Sequence, residues 1–128
     1  MVRRVSGVVG PSGVGKDSVM EAMSSLRADV VLIRRVITRA ENLGGETFDG
    51  VGEAEFDHLV ATGHFSLHWR AHGLRYGVPE DEVAKPGQIG LVNLSRSVLS
   101  EAETRLRQFT VLSLTAPKQI LATRLAAR

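Results

Sequence analysis

Short apolar runs and stretches of helical spacing alternate along most of the chain. Val5 to Val9 is an apolar run closed by glycine, the pattern of a buried strand. From Lys16 to about Arg27, Val19, Met20, Met23 and Leu26 recur at helical spacing. Val30-Val31-Leu32-Ile33 opens a β-branched run that continues through Val36 and Ile37. Glu53 to Thr62 predicts a helix, with Phe56, Leu59 and Val60 on one side and Gly63 as its stop. Residues 64–71 alternate with period two: Phe65, Leu67, Trp69 and Ala71 share one face, and His64, Ser66, His68 and Arg70 the other. Ile89–Leu94 predicts a strand, Ser95–Arg107 a helix, Phe109–Leu114 a strand and Pro117–Arg128 a closing helix.

Strands alternating with helices predict an α/β fold, a mostly parallel sheet flanked by helices. At 128 residues the chain suits one domain, 1–128. Residues of about 38–86 interrupt the rhythm and predict a small inserted subdomain.

Composition narrows the field only a little. The apolar fraction of 43% and charged fraction of 23% are those of an ordinary globular protein. Sixteen basic against fourteen acidic side chains leave a formal +2, without the concentrated basic face that predicts a nucleic-acid partner. The absence of cysteine excludes disulfides and thiolate metal sites. The N-terminal Met1-Val2-Arg3-Arg4 and its apolar sequel are too short for a secretory signal, and no window has the length of a membrane span, so a cytoplasmic protein is expected.

The densest chemistry lies in Gly10-Pro11-Ser12-Gly13-Val14-Gly15-Lys16-Asp17-Ser18. A phosphate-binding loop needs glycines that let backbone N–H groups turn inward, a helix N-terminus behind them, and a lysine for the outer phosphates. Gly10, Gly13, Gly15 and Lys16 stand at the required spacing between the first strand and the first helix. The residue after the lysine normally offers Mg²⁺ a hydroxyl, and here it is Asp17, with Ser18 next. A carboxylate is a hard oxygen ligand and can replace that hydroxyl, or it can simply favour the positive end of the helix.

Arg34, Arg35, Arg39, Arg70, Arg75 and Arg96 are spread through the segment expected to face this loop, and two or three of them would serve an anionic substrate. His64, His68 and His72 have a spacing that would gather imidazoles on a helix, but the alternation predicts a strand, where it makes a weak metal signal.

These residues carry a family resemblance. The loop, Arg35-Val36-Ile37-Thr38-Arg39, Gly45-Glu46, Glu53-Ala54-Glu55-Phe56, the run from Phe65 to Pro79, Val92-Asn93-Leu94-Ser95-Arg96, Leu114-Thr115-Ala116-Pro117 and Arg124 to Arg128 together resemble the ribose 1,5-bisphosphate phosphokinases. These are guanylate-kinase-like P-loop kinases of bacterial phosphonate catabolism, and Leu67-His68-Trp69-Arg70-Ala71-His72-Gly73-Leu74-Arg75-Tyr76-Gly77-Val78-Pro79 is the most specific part of the match. The resemblance implies a P-loop kinase fold whose inserted subdomain binds the acceptor. It implies transfer of the ATP γ-phosphoryl group, with Mg²⁺, to ribose 1,5-bisphosphate, giving 5-phosphoribosyl 1-diphosphate. Ser12, Val14 and the loop glycines with Lys16 would hold ATP; Asp17 or Ser18 would meet Mg²⁺. Arg39 and Tyr76 would hold an acceptor phosphate, with His68, His72 and Arg96 as sugar or phosphate contacts. Lys16, Arg39 and Arg128 are the residues it marks as catalytic, Arg124 and Arg128 leading toward a lid expected beyond the chain, without which turnover should be poor. The implied partners are small molecules; a homodimer is compatible with it.

The departures from guanylate kinase itself are informative. Thr38 and Arg39 match its phosphate grip, but its second arginine falls near Asn42, and its acidic strand end falls around Asn93. Aligned on Tyr76-Gly77, its guanine-reading glutamate falls on Leu67 and its guanine-reading threonine on Val78, and neither side chain can make those hydrogen bonds. The competing readings are a nucleoside monophosphate kinase and a non-catalytic guanylate-kinase-like binding module; in the latter the loop lysine or glycines are typically lost.

Overall fold

The computed structural model describes residues 4–11, 15–39, 48–84 and 87–115. Two four-stranded sheets carry the chain. The first is parallel throughout, in the order β2 (Val30–Leu32), β7 (Ile89–Asn93), β1 (Arg4–Val9) and β8 (Phe109–Ser113). The second runs β4 (Phe48–Gly50), β3 (Arg35–Ile37), β6 (Leu74–Pro79) and β5 (Phe65–Ala71), with β3 and β4 parallel and the other two pairs antiparallel. The helices are α1 (Lys16–Leu26), α2 (Glu53–Ala61), α3 (Glu80–Ala84) and α4 (Leu99–Arg105).

Central strands of a parallel sheet are covered on both faces and so read as unbroken apolar runs. In β1, Val5 and Val9 pack with Val92, Leu94, Val98 and Ala102, while Val8 turns the other way to Met20 of α1, Val30 and Leu91. The first of these clusters also contains Leu67 and Val78, so a single core joins the two sheets.

Several expected elements take a different form. The run from Val30 to Ile37 is divided between the sheets: Ile33 still donates its N–H to the Leu91 carbonyl of the first, and Arg35–Ile37 belongs to the second. The helix expected over Ser95–Arg107 is a 3-10 turn, Arg96–Val98, followed by α4, because Ser95 caps the turn through the Ser97 N–H. Strands β4 and β6 and the short α3 were not apparent from the alternation of residues. The helix expected over Pro117–Arg128 lies outside the described residues.

The expected alternation of residues 64–71 is also corrected. A bulge between Phe65 and Leu67 shifts the phase, so those two residues face opposite sides. Phe65 joins Val36 and Phe56 beneath α2, and Leu67 joins the core between the sheets. Ser66, expected among the polar residues of an exposed face, is buried, and its hydroxyl donates to the Glu80 carboxylate at the start of α3. Among the described residues no helix is long and apolar enough to cross a membrane.

Candidate active site

A cleft of about 860 Å³ opens between the carboxyl ends of the parallel strands and one face of the second sheet. This is where ligands of open α/β sheets bind, since loops there are free to differ while the strands hold them. Gly15, at φ 85°, takes the left-handed conformation that glycine adopts without steric cost and turns the chain into α1. The first-turn N–H groups of α1 have no intrahelical partners, and Lys16, Asp17 and Ser18 line the cleft at that end. The Lys16 ammonium donates to the Gly10 carbonyl at 3.0 Å, which folds the side chain back along the loop.

Register explains which residues of the second sheet face the cleft. Ile37 pairs with Tyr76, and Tyr76 with Trp69, so Arg35, Ile37, Tyr76, Trp69 and Ala71 present one face to it. The Trp69 and Tyr76 rings stack, 5.4 Å between centroids and 9° from parallel. Arg35, 6% exposed, sets its guanidinium 5.1 Å from the Tyr76 centroid and donates from Nη1 to the Asn93 carbonyl at 3.1 Å, tying β3 to the end of β7. Arg39 lies over the Phe48 ring at 4.6 Å, and its Nε is buried without a hydrogen-bond partner among the described residues. Arg96 reaches the Ser113 hydroxyl at 3.1 Å from the opposite rim.

Three of the six arginines therefore line the cleft: Arg35, Arg39 and Arg96. Arg34 pairs with Asp49 at 2.5 Å, and Arg70 is exposed on β5. Arg75 turns to α2, where it bonds Asp57 and Glu53 and covers the Phe56 ring at 4.4 Å. The hydrogen bond to Asp57, foremost among its partners, raises its pKa further above the arginine value.

Of the residues singled out in the sequence, Gly10, Gly15, Lys16, Asp17, Ser18, Arg39, His72, Tyr76 and Arg96 meet in this cleft. His68 does not. It pairs with Gly77 on the sheet face beneath α2, 6.4 Å from the Phe65 ring, because it alternates with Leu67 and Trp69, which face the other way. His72 enters the cleft through the β5–β6 turn, where it and Gly73 both have positive φ, as a two-residue hairpin requires. Among the described residues no three His, Asp or Glu side chains converge as a metal-ligand group. Ser12, Gly13, Val14 and Arg128 lie outside the described residues, as do Asn42, Gly45 and Glu46. Two further residues of the cleft carry no distinguishing mark in the sequence: alternation shows Trp69 only as an inward residue, and Arg35 is one of several arginines.

The fold is that of a guanylate-kinase-like P-loop kinase. The structure superimposes on a guanylate kinase from Anaplasma phagocytophilum with a TM-score of 0.70 at 23% identity, covering 98% of this chain and 66% of that one. Among curated proteins, the chain is 52% identical over 126 residues to the ribose 1,5-bisphosphate phosphokinase PhnN of Ruegeria sp. (strain TM1040), covering 97% of this chain and 66% of that protein. It is 42% identical to the PhnN of Azotobacter vinelandii, covering 94% of this chain and 68% of that protein. It also matches the bifunctional ribose 1,5-bisphosphokinase-thymidine phosphorylase of Cupriavidus necator at 46% identity, over 21% of that longer protein. No protein-family model matches. The chain belongs to the PhnN family of ribose 1,5-bisphosphate phosphokinases, and it spans about two thirds of the length of the PhnN relatives it matches.

Proposed function

We propose that the chain transfers the γ-phosphoryl group of ATP to the 1-phosphate of ribose 1,5-bisphosphate, giving 5-phosphoribosyl 1-diphosphate and ADP. The observation that carries this reading is the pairing of a cationic cleft with buried Leu67 and Val78. Both residues are 0% exposed, so the positions that resemblance aligns with guanine reading are closed within the core. A base has nothing there to bond to, while Lys16, Arg35, Arg39 and Arg96 suit an acceptor rich in phosphate.

The attacking atom is an oxygen of the acceptor 1-phosphate, which with a second pKa of about 6 is mostly dianionic at neutral pH. The new bond joins that oxygen to the γ-phosphorus, the β–γ bridging bond breaks, and its electron pair leaves on ADP. No proton need be taken from such a nucleophile, so the protein's task is positioning and charge stabilisation. Lys16 and the α1 N-terminus hold the ATP phosphates, and Arg39 and Tyr76 hold the acceptor phosphate. Arg39 Nε, buried without a hydrogen-bond partner among the described residues, is a donor suited to an anion. Asp17 and Ser18 are the oxygen ligands offered to Mg²⁺, which when bound neutralises charge between the phosphates. The second sheet is the acceptor-binding part, and the reaction belongs in the cytoplasm, where ATP is supplied.

The test compares ribose 1,5-bisphosphate with GMP as acceptors under identical conditions. Phosphorylation of the sugar bisphosphate with little or none of GMP is expected. Comparable rates with GMP would sink this reading in favour of a nucleoside monophosphate kinase.

A further inference from the structure

We propose that Trp69 forms the seat of the acceptor's pentose ring, with Tyr76 and Arg35 holding that seat in place. The assignment rests on the sugar-bisphosphate reading above and adds to it the surface that recognises the sugar. Strand β6 lies between β3 and β5, so Tyr76 stands between Arg35 and Trp69. Guanidinium, phenol and indole thus form one ladder across the cleft wall, with centroid separations of 5.1 Å and 5.4 Å.

The ladder is built in advance of any ligand. Arg35 is pinned through the Asn93 carbonyl to the sheet that carries the phosphate loop, Tyr76 is held from both sides, and Trp69 packs against the joint core. Side chains already ordered lose little entropy when a ligand arrives. A pentose has an apolar C–H face and needs a flat apolar surface for it, while its hydroxyls and phosphates point outward to polar partners. One rung beyond Trp69 on the same face is Ala71, whose small side chain leaves the cleft open beside the indole. A bisphosphate also needs cations on both sides of its ring. Arg39 supplies one from the second sheet, and Lys16 and Arg96 supply others from the first.

Trp69 is the single tryptophan of the chain, so its emission reports on this seat directly. Titration with ribose 1,5-bisphosphate should change that emission and saturate with the Kd that calorimetry gives. Trp69→Phe, which keeps an aromatic face, should hold the acceptor Kd within about threefold, whereas Trp69→Leu should weaken it about tenfold. Affinity for a non-hydrolysable ATP analogue should be unchanged in both. A parallel loss of ATP-analogue affinity and melting temperature, with Phe no better than Leu, would mean mere packing and overturn the seat. Binding of the bisphosphate with neither emission nor the Leu variant's Kd affected would overturn the seat and leave the sugar-phosphate reading standing. Failure of the unaltered protein to bind ribose 1,5-bisphosphate would defeat that reading and the seat with it. If the Leu variant does not fold, the emission titration of the unaltered protein decides.

Discussion

Leu67 and Val78 face each other across the β5–β6 ladder, both sealed in the core that joins the two sheets. Restoring a glutamate at this place would therefore not restore a base-reading residue. Leu67→Glu would put an unpaired carboxylate among Val5, Val9 and Leu94, at a cost of about 4 kcal/mol or more. Urea unfolding should show a large loss of stability, and acceptor assays should show no gain of GMP phosphorylation. A stable variant that phosphorylates GMP would contradict this account of the core.

The bulge at Ser66 brings the Phe65 ring over Gly77, where a Cβ would lie only 2.5 Å from the ring. Phe65 has little room to yield, since Phe56 packs against it at 4.8 Å between centroids. Gly77→Ala should lower stability by about 1–3 kcal/mol, the usual cost of an overfilled core. Adding Phe65→Leu should recover part of the loss, which a double-mutant cycle in urea would measure.

What could be read from the chain followed from local patterns that tertiary packing does not alter. The β1 run, the glycine loop and the first turn of α1 form a contiguous strand–loop–helix unit, so spacing alone placed Lys16 at the cleft. His68, marked by the resemblance, faces away from the cleft because it alternates with Trp69 and Ala71, which line it; the bulge at Ser66 turns Phe65 instead, and no local pattern in the sequence announces it. Strand β3 was hidden because an apolar run carries no mark of the sheet it joins; only its register with Tyr76 sets it apart from β2. Trp69 went unrecognised for a related reason. Its alternation shows that it faces inward, but not that the cleft opens above it.

Lys16 should be more important to catalysis than to folding. Its ammonium donates to the Gly10 carbonyl at the rim of the cleft and not within the core, so Lys16→Met should melt within several degrees of the unaltered protein. The phosphates would lose a directed cation, and kcat should fall by about 10² to 10³. Parallel calorimetry with an ATP analogue and a thermal melt separate the two effects. A variant that turns over normally would remove Lys16 from the site.

The junction between α1 and β2 carries a pH-dependent contact. Arg27 grips Asp29 through two hydrogen bonds, 3.0 Å and 2.7 Å, and this holds the Asp29 pKa below its ordinary 3.8. A carboxyl whose folded pKa is lowered adds stability above the unfolded value and gives it up as pH falls through the lower one. Asp29 should thus titrate below pH 3.8 by carboxyl-detected NMR, and Arg27→Gln should return it to the ordinary value. An unmoved titration in the variant would show that the contact does not persist in solution.

Arg75 should act as the latch of α2 rather than as a substrate ligand. Its guanidinium covers Phe56 at 4.4 Å and bonds Asp57 and Glu53 on the sheet face turned away from the cleft, while its backbone N–H donates to the Thr38 hydroxyl at 2.9 Å. Arg75→Ala keeps the backbone bond and loses the rest, which should cost about 1 kcal/mol given how exposed the two carboxylates are. Arg75→Lys should recover little of it, because an ammonium cannot both stack on the ring and bridge two carboxylates. Its raised pKa means that this stability would be lost only as pH rises through a value far above the working range, so the difference between variant and parent should be flat from about pH 6 to pH 10. Acceptor KM should be unchanged in both variants, and a rise in KM without loss of stability would move Arg75 from latch to ligand.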